Sequence, residues 1–562
     1  MNISEQKNDD SVINIAYYLK KNAHALPHKR AVVYPVCKDK SGRVAYAHLT
    51  FKQLDHESDI IAYGLNSVGI NKGTRTIIMV NPSIDFFTLI FALFKTGAVP
   101  VVVDPGMGIK RMLVCFAKSS PEAFIGIPKA HILRIIRPKT FKNIKTFITV
   151  GKRWLWSGYT LNDIRINSQK PYKIAATGKD DLAAILFTTG STGPAKGVEY
   201  THGIFDTQVN HILSCFDIQE DEIDLPTFPL FALFDPALGI TAVIPDIDPT
   251  KPALADPEKI IEPIINQGVT NMFASPALLN NVGRYAKEKN IKFPSLKRVV
   301  SAGAPVSLSN IKVFSSLLPK GSEIHTPYGA TEAMPIASIK SDEILKETGK
   351  LSDKGYGICV GRPIDDIQVA IIKIDDSPIK KWSDSLLLPD GEIGEIVAKG
   401  DNVTKHYFNH PLSEIFAKIK DNNSFWHRMG DLGWSDSKGR IWYCGRKSHR
   451  VITENETFYT IPCELIFNTH PKVFRSALIG VGPKSKQNPV ICIELENDKH
   501  ELDLKRTEKE ILEIASDNII TKNINKVLFH NSFPVDIRHN SKIFREKLVS
   551  WADQKLNLNL FP

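Results

Sequence analysis

The segment from Thr188 to Gly197 carries residue types that are suited to holding a chain of phosphates. It follows LAAILF (182–187), an apolar run typical of a buried strand. Glycines let the backbone fold closely around an anion, hydroxyls and amides donate hydrogen bonds, and a lysine adds positive charge. The spacing is not that of a Walker A loop, and an ordinary turn is the alternative. The predicted phosphate-binding residues are Thr188, Thr189, Gly190, Ser191, Thr192, Gly193 and Lys196.

A second chemical group, Tyr328-Gly329-Ala330-Thr331-Glu332, follows the strand-like run EIHTP (323–327). The tyrosine ring could stack on a nucleotide base, and the threonine hydroxyl could bond a phosphate oxygen. Glutamate oxygen is a ligand that Mg²⁺ accepts together with phosphates. The alternative interpretation is an ordinary strand-to-helix turn.

Three shorter motifs lie farther along the chain. HRMGD (427–431) offers Asp431 as a partner for ribose hydroxyls, GR (445–446) offers Arg446, and NSKIFR (540–545) brings Lys542 close to the C-terminus. Each motif alone is also a common turn, so only their order and separation along the chain make them informative.

The amino-acid composition excludes several classes of protein. The 562 residues are 43% hydrophobic and 23% charged, which is typical of a globular protein and excludes a disordered, collagen-like or coiled-coil chain. The net charge is +10, with basic residues that we interpret as scattered. Because the sequence has no zinc finger and no RNA-binding signature, a nucleic-acid partner is not expected. A few of these charges suffice for a polyanion such as ATP.

The cysteines and the N-terminus indicate a cytoplasmic protein. Seven dispersed cysteines without a C-x-x-C pair favour a reducing compartment. MNISEQKNDDSVINI lacks the basic start and apolar run of a signal peptide. The longest apolar stretch, 86–103, is interrupted by Lys95, Gly97 and Pro100, so we predict a buried helix and strand rather than an integral membrane segment.

The pattern of elements predicts an α/β fold. Short apolar runs such as 75–80, 99–105, 124–128, 182–190 and 296–303 alternate with helical segments, which is typical of parallel sheets covered by helices. Asn81-Pro82-Ser83 predicts a helix start with Asn81 as the cap. From about residue 390 the strands become short with tight turns, and the tail from about 505 is helical. We place a domain boundary near 446–448.

Taken together and in this order, the motifs resemble those of the adenylate-forming superfamily, which includes acyl-CoA synthetases, luciferases and peptide-synthetase adenylation domains. The resemblance implies a large N-terminal AMP-binding domain of parallel and mixed sheets, residues 1–447. It also implies a small mobile α+β domain, residues 448–562, that carries a catalytic lysine. In this family a carboxylate attacks the α-phosphate of ATP, with Mg²⁺, to give acyl-AMP and pyrophosphate.

The resemblance also implies roles for individual residues. Lys542 would reach the substrate carboxylate and the α-phosphate, Thr331 would contact the α-phosphate, and Glu332 would hold Mg²⁺. Cations placed where charge develops on phosphoryl oxygens lower the barrier. Ser448 occupies the hinge position. The remaining nucleotide-binding residues would be Gly303, Ala304 and Pro305 of the adenine-pocket segment 301–305, Tyr328 and Gly329 near the base, and Asp431 and Arg446 at the ribose.

The sequence departs from the acyl-CoA synthetases at three places. Ser541-Lys542 stands where Gly-Lys is usual, and Ser448 stands where the hinge is usually Asp or Lys. Glu454-Asn455-Glu456 replaces the glycine-rich turn near the pantetheine tunnel. These departures weaken an expectation of CoA as acceptor, and no carrier domain is expected after residue 562.

Longer stretches resemble the olefin β-lactone synthetases: 225–249, HTPYGATE (325–332), HRMGDLG (427–433), GRKSHRV (445–451) and FPVDIRHNSKIFREKL (533–548). The resemblance implies activation of a 2-alkyl-3-hydroxyalkanoic acid, whose own 3-hydroxyl then closes a β-lactone and releases AMP. It further implies a complex with a thiolase, a reductase and a hydrolase of the olefin pathway. The alternatives are a fatty acyl-CoA or fatty acyl-AMP ligase and a peptide-synthetase-like enzyme.

The apolar segment 225–244 is the predicted wall of a pocket for two alkyl chains, with Phe231 and Phe234 as contacts. Plain core packing is the alternative. Asp235 is either a cap at the start of a helix or a base or polar anchor for substrate, and Phe234-Asp235 resembles the Phe-Asp of amino-acid adenylation domains. His202 and His325 are further base candidates, with a structural role as the alternative.

Overall fold

The computed structural model of the chain describes residues 12–188, 195–248, 250–496, 503–536 and 542–556. The predicted phosphate-loop residues Thr189 to Gly193 and the Asn540-Ser541 pair therefore lie outside the described residues, as does the side chain of Thr188. The helices are α1 (Ala16–Ala25), α2 (Phe51–Ser67), α3 (Ile84–Thr96), α4 (Ile109–Lys118), α5 (Pro128–Ile136), α6 (His202–Phe216), α7 (Pro229–Ala232), α8 (Asp235–Leu238), α9 (Glu258–Gln267), α10 (Pro276–Glu288), α11 (Leu308–Ser315), α12 (Ser341–Glu343), α13 (Gly349–Ser352), α14 (Pro411–Ala417), α15 (Thr460–Phe467), α16 (Leu504–Ser516) and α17 (Arg545–Lys555).

The strands fall into two large sheets, one small sheet and a hairpin. They are β1 (Arg30–Lys38), β2 (Val44–Thr50), β3 (Arg75–Met79), β4 (Val99–Val103), β5 (Ala123–Gly126), β6 (Thr146–Thr149), β7 (Tyr159–Thr160), β8 (Leu182–Thr188), β9 (Lys196–Thr201), β10 (Ile223–Pro226), β11 (Thr241–Val243), β12 (Asn271–Ala274), β13 (Arg298–Ser301), β14 (Glu323–Ala330), β15 (Ala333–Lys340), β16 (Ile358–Pro363), β17 (Gln368–Ile372), β18 (Gly394–Lys399), β19 (Lys418–Asp421), β20 (Ser424–Ser435), β21 (Ile441–Arg446), β22 (Val451–Ile452), β23 (Thr457–Phe458), β24 (Val473–Val481), β25 (Asn488–Leu495) and β26 (Val527–Phe529).

The seven-stranded sheet has the order β7-β6-β5-β3-β4-β8-β9, with all neighbours parallel except β8 and β9. Its central strands are short and buried on both faces, as unbroken apolar runs require in a parallel sheet. The helix cap predicted at Asn81 is wrong by two residues. Ser83 caps α3 instead, because its side chain accepts a hydrogen bond from Phe86 N.

The fourteen-stranded sheet combines a parallel half with an antiparallel half. Strands β1, β11, β10, β12, β13 and β14 run parallel, whereas β15, β16, β21, β20, β18 and β17 continue the sheet in antiparallel pairs. One apolar core joins the two large sheets. Val32 and Ala242 of the larger sheet, and Ile78 and Ile125 of the smaller one, pack with α3 in the same cluster.

Residues after Arg446 build a smaller α+β unit. A short 3-10 turn, Lys447–His449, leads into the β22-β23 hairpin and the sheet β24-β25-β26, which α15, α16 and α17 accompany. This unit has apolar clusters of its own, around Phe467 and around Phe533. The predicted helical tail is interrupted, because β26 lies between α16 and α17. The predicted fold class of a large α/β part with parallel and mixed sheets and a small α+β part is confirmed.

Two smaller predictions also agree with the structure. The apolar stretch 86–103 forms α3 and β4, and its Lys95 is fully buried. Among the helices of the described residues, none combines the length and apolar character of a membrane span. All seven cysteines are unpaired, and only Cys37 is exposed.

Candidate active site

A cavity of about 2210 Å³ opens at the carboxyl ends of the parallel strands and reaches the small α+β unit. Ligands in open α/β sheets bind at this edge. Most of the predicted site residues that the structure describes line it, and they come from distant parts of the sequence. They are Lys196, Phe231, Phe234, Asp235, Gly303, Ala304, Pro305, Tyr328, Gly329, Thr331, Glu332, Asp431, Arg446, Ser448 and Lys542.

Tyr328 to Glu332 form a hairpin rather than a strand-to-helix turn. Ala330 pairs with Ala333, so Thr331 and Glu332 are the two residues of the turn between β14 and β15. Glycine is required at 329 because a Cβ there would lie 2.6 Å from the Ala333 carbonyl oxygen. The tight turn presents the Thr331 and Glu332 side chains at the cavity wall.

Asp431 and Arg446 face each other because β20 and β21 pair them directly in register. Their charged groups lie 3.1 Å apart, and Tyr328 Oη donates a hydrogen bond of 2.7 Å to the Asp431 carboxylate. Asp431 raises the pKa of the Arg446 guanidinium above its usual value. Tyrosine, carboxylate and guanidinium therefore form one polar cluster, as the predicted base and ribose contacts require.

Glu332 has a partner that the sequence analysis missed. Tyr407 Oη donates a hydrogen bond of 2.8 Å to Glu332 Oε1, and the Lys196 ammonium lies 5.1 Å from the Tyr407 ring centre. Burial, with the negative charge of Glu332, raises the pKa of Tyr407 well above its usual value, so the phenol stays a hydrogen-bond donor. Lys196 is the described side chain of the predicted phosphate loop, and β9 places it opposite Thr188 of β8.

Lys542 lies at the mouth of the cavity with an exposed side chain. Its position is fixed by the backbone, since Asp536 N donates to Lys542 O at 2.9 Å and Ile543 pairs with Val535. Burial raises the pKa of Asp431, and the positive charges of Arg446 and Lys542 oppose that rise. The lysine therefore shares an electrostatic environment with the polar cluster, although it is more than ninety residues away in sequence.

Asp235 does not cap a helix. Helix α8 begins at Asp235 with Phe234 in the cap position, and no side-chain capping bond forms. The Asp235 carboxyl is 3% exposed and is hydrogen-bonded to the carboxyl of Asp224 on β10. Asn271 Nδ2 of the adjacent strand donates to Asp224 Oδ1 at 2.5 Å, and Asp235 Oδ2 has no partner among the described residues.

The charge state of this pair follows from its burial. Burial raises the pKa of Asp224 to about 7, and burial together with the charge of Asp224 raises the pKa of Asp235 well above its usual value. Glu222 and Arg298 are the other charged groups that act on Asp224, with opposite effects. Two adjacent carboxyls in an apolar wall share one proton, which is the state that the raised pKa values of both groups favour.

Neither histidine candidate reaches the cavity. His202 starts α6, and its Nδ1 accepts a hydrogen bond from Ile15 N at 3.3 Å while its ring packs against Phe94. His325 packs edge-on against Phe216. Burial lowers the pKa of each to about 4, so both are neutral structural residues at physiological pH.

Ser448, the predicted hinge position, is exposed in the middle of the 3-10 turn, and residues on both sides of it form ion pairs. Lys447 Nζ lies 2.9 Å from Glu395, which also pairs with buried Arg428 at 2.6 Å. Arg450 lies 2.9 Å from Asp376. The two carboxylates belong to the larger part of the chain, so the turn is anchored to that part by charge.

Comparison with known proteins agrees with this geometry. The family model described as "AMP-binding enzyme" matches residues 19–408. The chain is 43% identical to the olefin beta-lactone synthetase of Xanthomonas campestris, over 97% of this chain and 98% of that protein. It is also 43% identical to the olefin beta-lactone synthetase of Stenotrophomonas maltophilia, over 97% and 98%.

Solved structures share the fold. The amide bond synthetase McbA of Marinactinospora thermotolerans superposes with a TM-score of 0.78 at 20% identity, covering 96% of this chain and 99% of that one. The o-succinylbenzoate CoA synthetase of Bacillus subtilis in complex with ATP and magnesium has a TM-score of 0.73 at 20% identity, covering 94% and 98%. The chain therefore belongs to the AMP-binding enzymes of the adenylate-forming superfamily, and it is an ATP-dependent, AMP-forming ligase or synthetase related to the olefin β-lactone synthetases.

Proposed function

We propose that this enzyme activates a 2-alkyl-3-hydroxyalkanoic acid as its adenylate and then closes the adenylate to a β-lactone. The observation that carries the proposal is a single cavity that joins the polar cluster to apolar walls containing one buried carboxyl pair. The 43% identity to two olefin beta-lactone synthetases supports the same choice of substrate.

In the first step the substrate carboxylate attacks the α-phosphate of ATP and displaces pyrophosphate. Lys542 would neutralise charge on the carboxylate and the α-phosphate, and Thr331 would donate a hydrogen bond to the α-phosphate. Tyr328 would stack near adenine beside the segment 303–305, and Asp431 with Arg446 would hold the ribose. The loop from Thr188 to Lys196 would bind the β- and γ-phosphates.

A magnesium ion fits Glu332 as a carboxylate ligand. No group of three or more His, Cys, Asp or Glu is arranged to hold a metal within the described part of the chain, so the protein would supply few ligands. Mg²⁺ commonly binds one or two carboxylates with phosphate oxygens and water, and it would neutralise phosphate charge. Tyr407 orients Glu332 by its hydrogen bond.

In the second step the 3-hydroxyl oxygen attacks the acyl carbonyl, the bond to AMP breaks, and the four-membered ring closes. We propose that the hydroxyl proton passes to Asp235 Oδ2 while Asp235 passes its own proton to Asp224, so that the pair gains one proton. Because nucleophile and electrophile belong to one molecule, holding the chain folded supplies much of the rate. Phe231, stacked at 4.1 Å on Phe273, and Phe234 would form part of the apolar wall.

The decisive test is mass spectrometry of products formed from ATP, Mg²⁺ and a synthetic 2-alkyl-3-hydroxy acid, with and without CoA. We expect AMP and a product lighter than the acid by one water, independent of CoA. A thioester formed only with CoA would instead identify an acyl-CoA ligase.

The chemistry also requires enzymes that supply the hydroxy acid and consume the lactone, and a thiolase, a reductase and a hydrolase are the proposed partners.

Rotation of the small unit between the two steps gives a separate prediction. A proline at Ser448 restricts the backbone of the turn, so Ser448→Pro should slow lactone formation while adenylate accumulates. Quenched-flow analysis of acyl-AMP and lactone measures both. Ser448→Ala, which removes the hydroxyl but leaves the backbone of the turn unrestricted, is the control. Unchanged lactone formation without adenylate accumulation would show that the second step does not use this hinge.

A further inference from the structure

The net positive charge of the chain is concentrated in one segment, although basic residues occur throughout the sequence. Residues 109–158 contain eleven Lys and Arg and one acidic residue, so their net charge equals the +10 of all 562 residues. The acidic residue, Glu122, is paired with Arg75 from outside the segment at 2.8 Å. Outside this segment basic and acidic residues are equal in number, so the basic residues are scattered as expected but the net charge is not.

Most of these cations are free to meet a partner. Nine side chains are exposed: Lys110, Arg111, Lys129, Arg137, Lys139, Lys142, Lys145, Lys152 and Arg153. Within the described ranges, only Arg153 among the nine lies within 4 Å of a carboxylate, that of Asp163 at 3.9 Å. The segment is therefore a positive surface that the protein itself leaves unneutralised.

Large apolar side chains are exposed in the same segment. Ile109 and Val114 on α4, Ile135 and Ile136 on α5, and Trp154 and Leu155 in the loop 151–158 are each more than half exposed. A soluble domain normally keeps such residues singly scattered, and a group of them indicates an interaction site. Helix α4 alone presents Ile109, Lys110, Arg111 and Val114 in a single turn and a half.

Contacts hold these elements side by side. The 3-10 turn Pro138–Phe141 packs against both α4 and α5. Trp156 stacks on His131 of α5 at 5.3 Å, and Arg134 of α5 donates to Ser157 O at 2.8 Å. The loop that carries Trp154 and Leu155 is thus fixed beside α5. We call α4, α5, the turn 138–141 and the loop 151–158 together the basic-apolar face.

The basic-apolar face lies at the cavity. Ile109, Lys129, Ile132, Leu133 and Ile136 line the cavity wall, and Ile109 and Ile136 are 61% and 64% exposed. Because the same side chains meet both solvent and cavity, the cavity opens at this face. The apolar lining of the cavity then continues outward through Ile109 and Ile136 into exposed apolar surface.

We propose that the basic-apolar face docks on an anionic lipid surface and that acyl chains enter and leave the cavity there. Lysine and arginine attract anionic headgroups, while interfacial Trp and aliphatic side chains bury themselves at the headgroup boundary. An acid with long alkyl chains resides in lipid rather than in water, and so does the apolar product. The passage of acyl chains rests on the proposed function, whereas docking itself needs neither ATP nor ring closure and can be tested without them.

The test is co-sedimentation of the purified full chain with vesicles, without substrate. Vesicles of phosphatidylcholine alone are compared with vesicles containing about one third phosphatidylglycerol, at low and high salt. We expect binding only to the anionic vesicles and its loss at high salt, because salt screens exposed charges. A protein that stays in the supernatant with anionic vesicles would overturn the proposal.

Two variants separate charge from insertion. Arg137→Glu with Lys139→Glu and Lys142→Glu should weaken vesicle binding by about a hundredfold or more, since each cation near an anionic surface contributes about fivefold to affinity. Trp154→Ser with Leu155→Ser should weaken it by about tenfold, because burial of large apolar side chains is lost. None of these five residues lines the cavity.

The matched control reverses the same number of charges elsewhere. Lys505, Lys509 and Lys522 are exposed in the small unit, and Lys505→Glu with Lys509→Glu and Lys522→Glu should bind anionic vesicles nearly as the parent does. Equal loss in this control would show attraction by net charge alone and would overturn the assignment of the face. Binding of the parent to an acidic protein but not to vesicles would overturn the lipid surface in favour of a protein partner.

Discussion

Replacing Lys542 with alanine is expected to lower the rate of adenylate formation by about 10²–10³-fold, the loss typical of one preorganised group at a site of developing charge. The reason is electrostatic. Charge builds on the α-phosphate and leaving pyrophosphate as the carboxylate attacks, and Lys542 is the described lysine of the small unit that lies at the polar cluster. Pyrophosphate release with a saturating acid measures this step.

The matched control is Lys547→Ala. Lys547 is an exposed lysine of the same unit, whose ammonium lies 4.8 Å from the Phe544 ring centre and outside the cavity lining. It should keep near-normal pyrophosphate release. ATP affinity and thermal unfolding of Lys542→Ala should change little, because its side chain is exposed. Near-normal pyrophosphate release from Lys542→Ala would show that another group performs the role given to this lysine.

Replacing Asp235 with asparagine is expected to separate the two steps. Lactone formation should fall by about 10²–10⁴-fold, the usual contribution of a general base, whereas pyrophosphate release should fall little. Asparagine has the same shape and can still donate a hydrogen bond to Asp224, but it cannot accept the hydroxyl proton. Lactone and acyl-AMP measured in the same quenched samples give both rates.

The same variant should be more stable than the parent at neutral pH. Both carboxyls of the pair have a pKa above the value in the unfolded chain. The pair therefore destabilises the fold least when both carboxyls are protonated, and it lowers the free energy of unfolding as pH rises from about 4 through about 7. Asparagine at 235 removes the part of this cost that belongs to Asp235, whereas Asp224 keeps its own. The difference in Tm between variant and parent should therefore grow from pH 5 to pH 8.

Asp224→Asn tests the other carboxyl of the same pair. It should also slow lactone formation, since Asp235 loses the acceptor for its proton. The parent's lactone rate should rise with pH through about 7, where Asp224 ionises, and neither variant should keep that dependence. If both variants close the lactone at the parent's rate and differ only in Tm, the pair has a structural role alone.

Local patterns predicted the elements of this fold well. Unbroken apolar runs such as 99–103 and 182–187 became buried strands of the parallel sheet, because a strand covered on both faces needs apolar residues throughout. The cavity-lining positions of Tyr328, Glu332, Asp431 and Arg446 also follow the order of motifs. Their detailed geometry needed the structure, since Thr331 and Glu332 lie in a hairpin that the strand-to-helix alternative did not describe.

Contacts between residues of different elements could not be predicted from the sequence. Tyr407 bonds Glu332 from 75 positions away, and no local signal marks it. Asp224 and Asp235 are close in sequence, but their pairing depends on where a strand ends and a helix begins. Asp-Pro at a helix start predicted a cap, whereas burial directed the carboxyl to its neighbour instead. The histidines failed as base candidates for the same reason, because packing rather than residue type decided where they point.

The size of the cavity has a consequence for the packing and stability of the protein. Protein interiors are normally packed as densely as organic crystals, and voids larger than a water molecule are few. Here an opening of about 2210 Å³ interrupts that packing between the two large sheets and the small unit. Alkyl chains that enter the cavity would supply the apolar packing contacts that its walls lack when it is empty. A protein that binds such chains only in its folded state is stabilised by them through mass action.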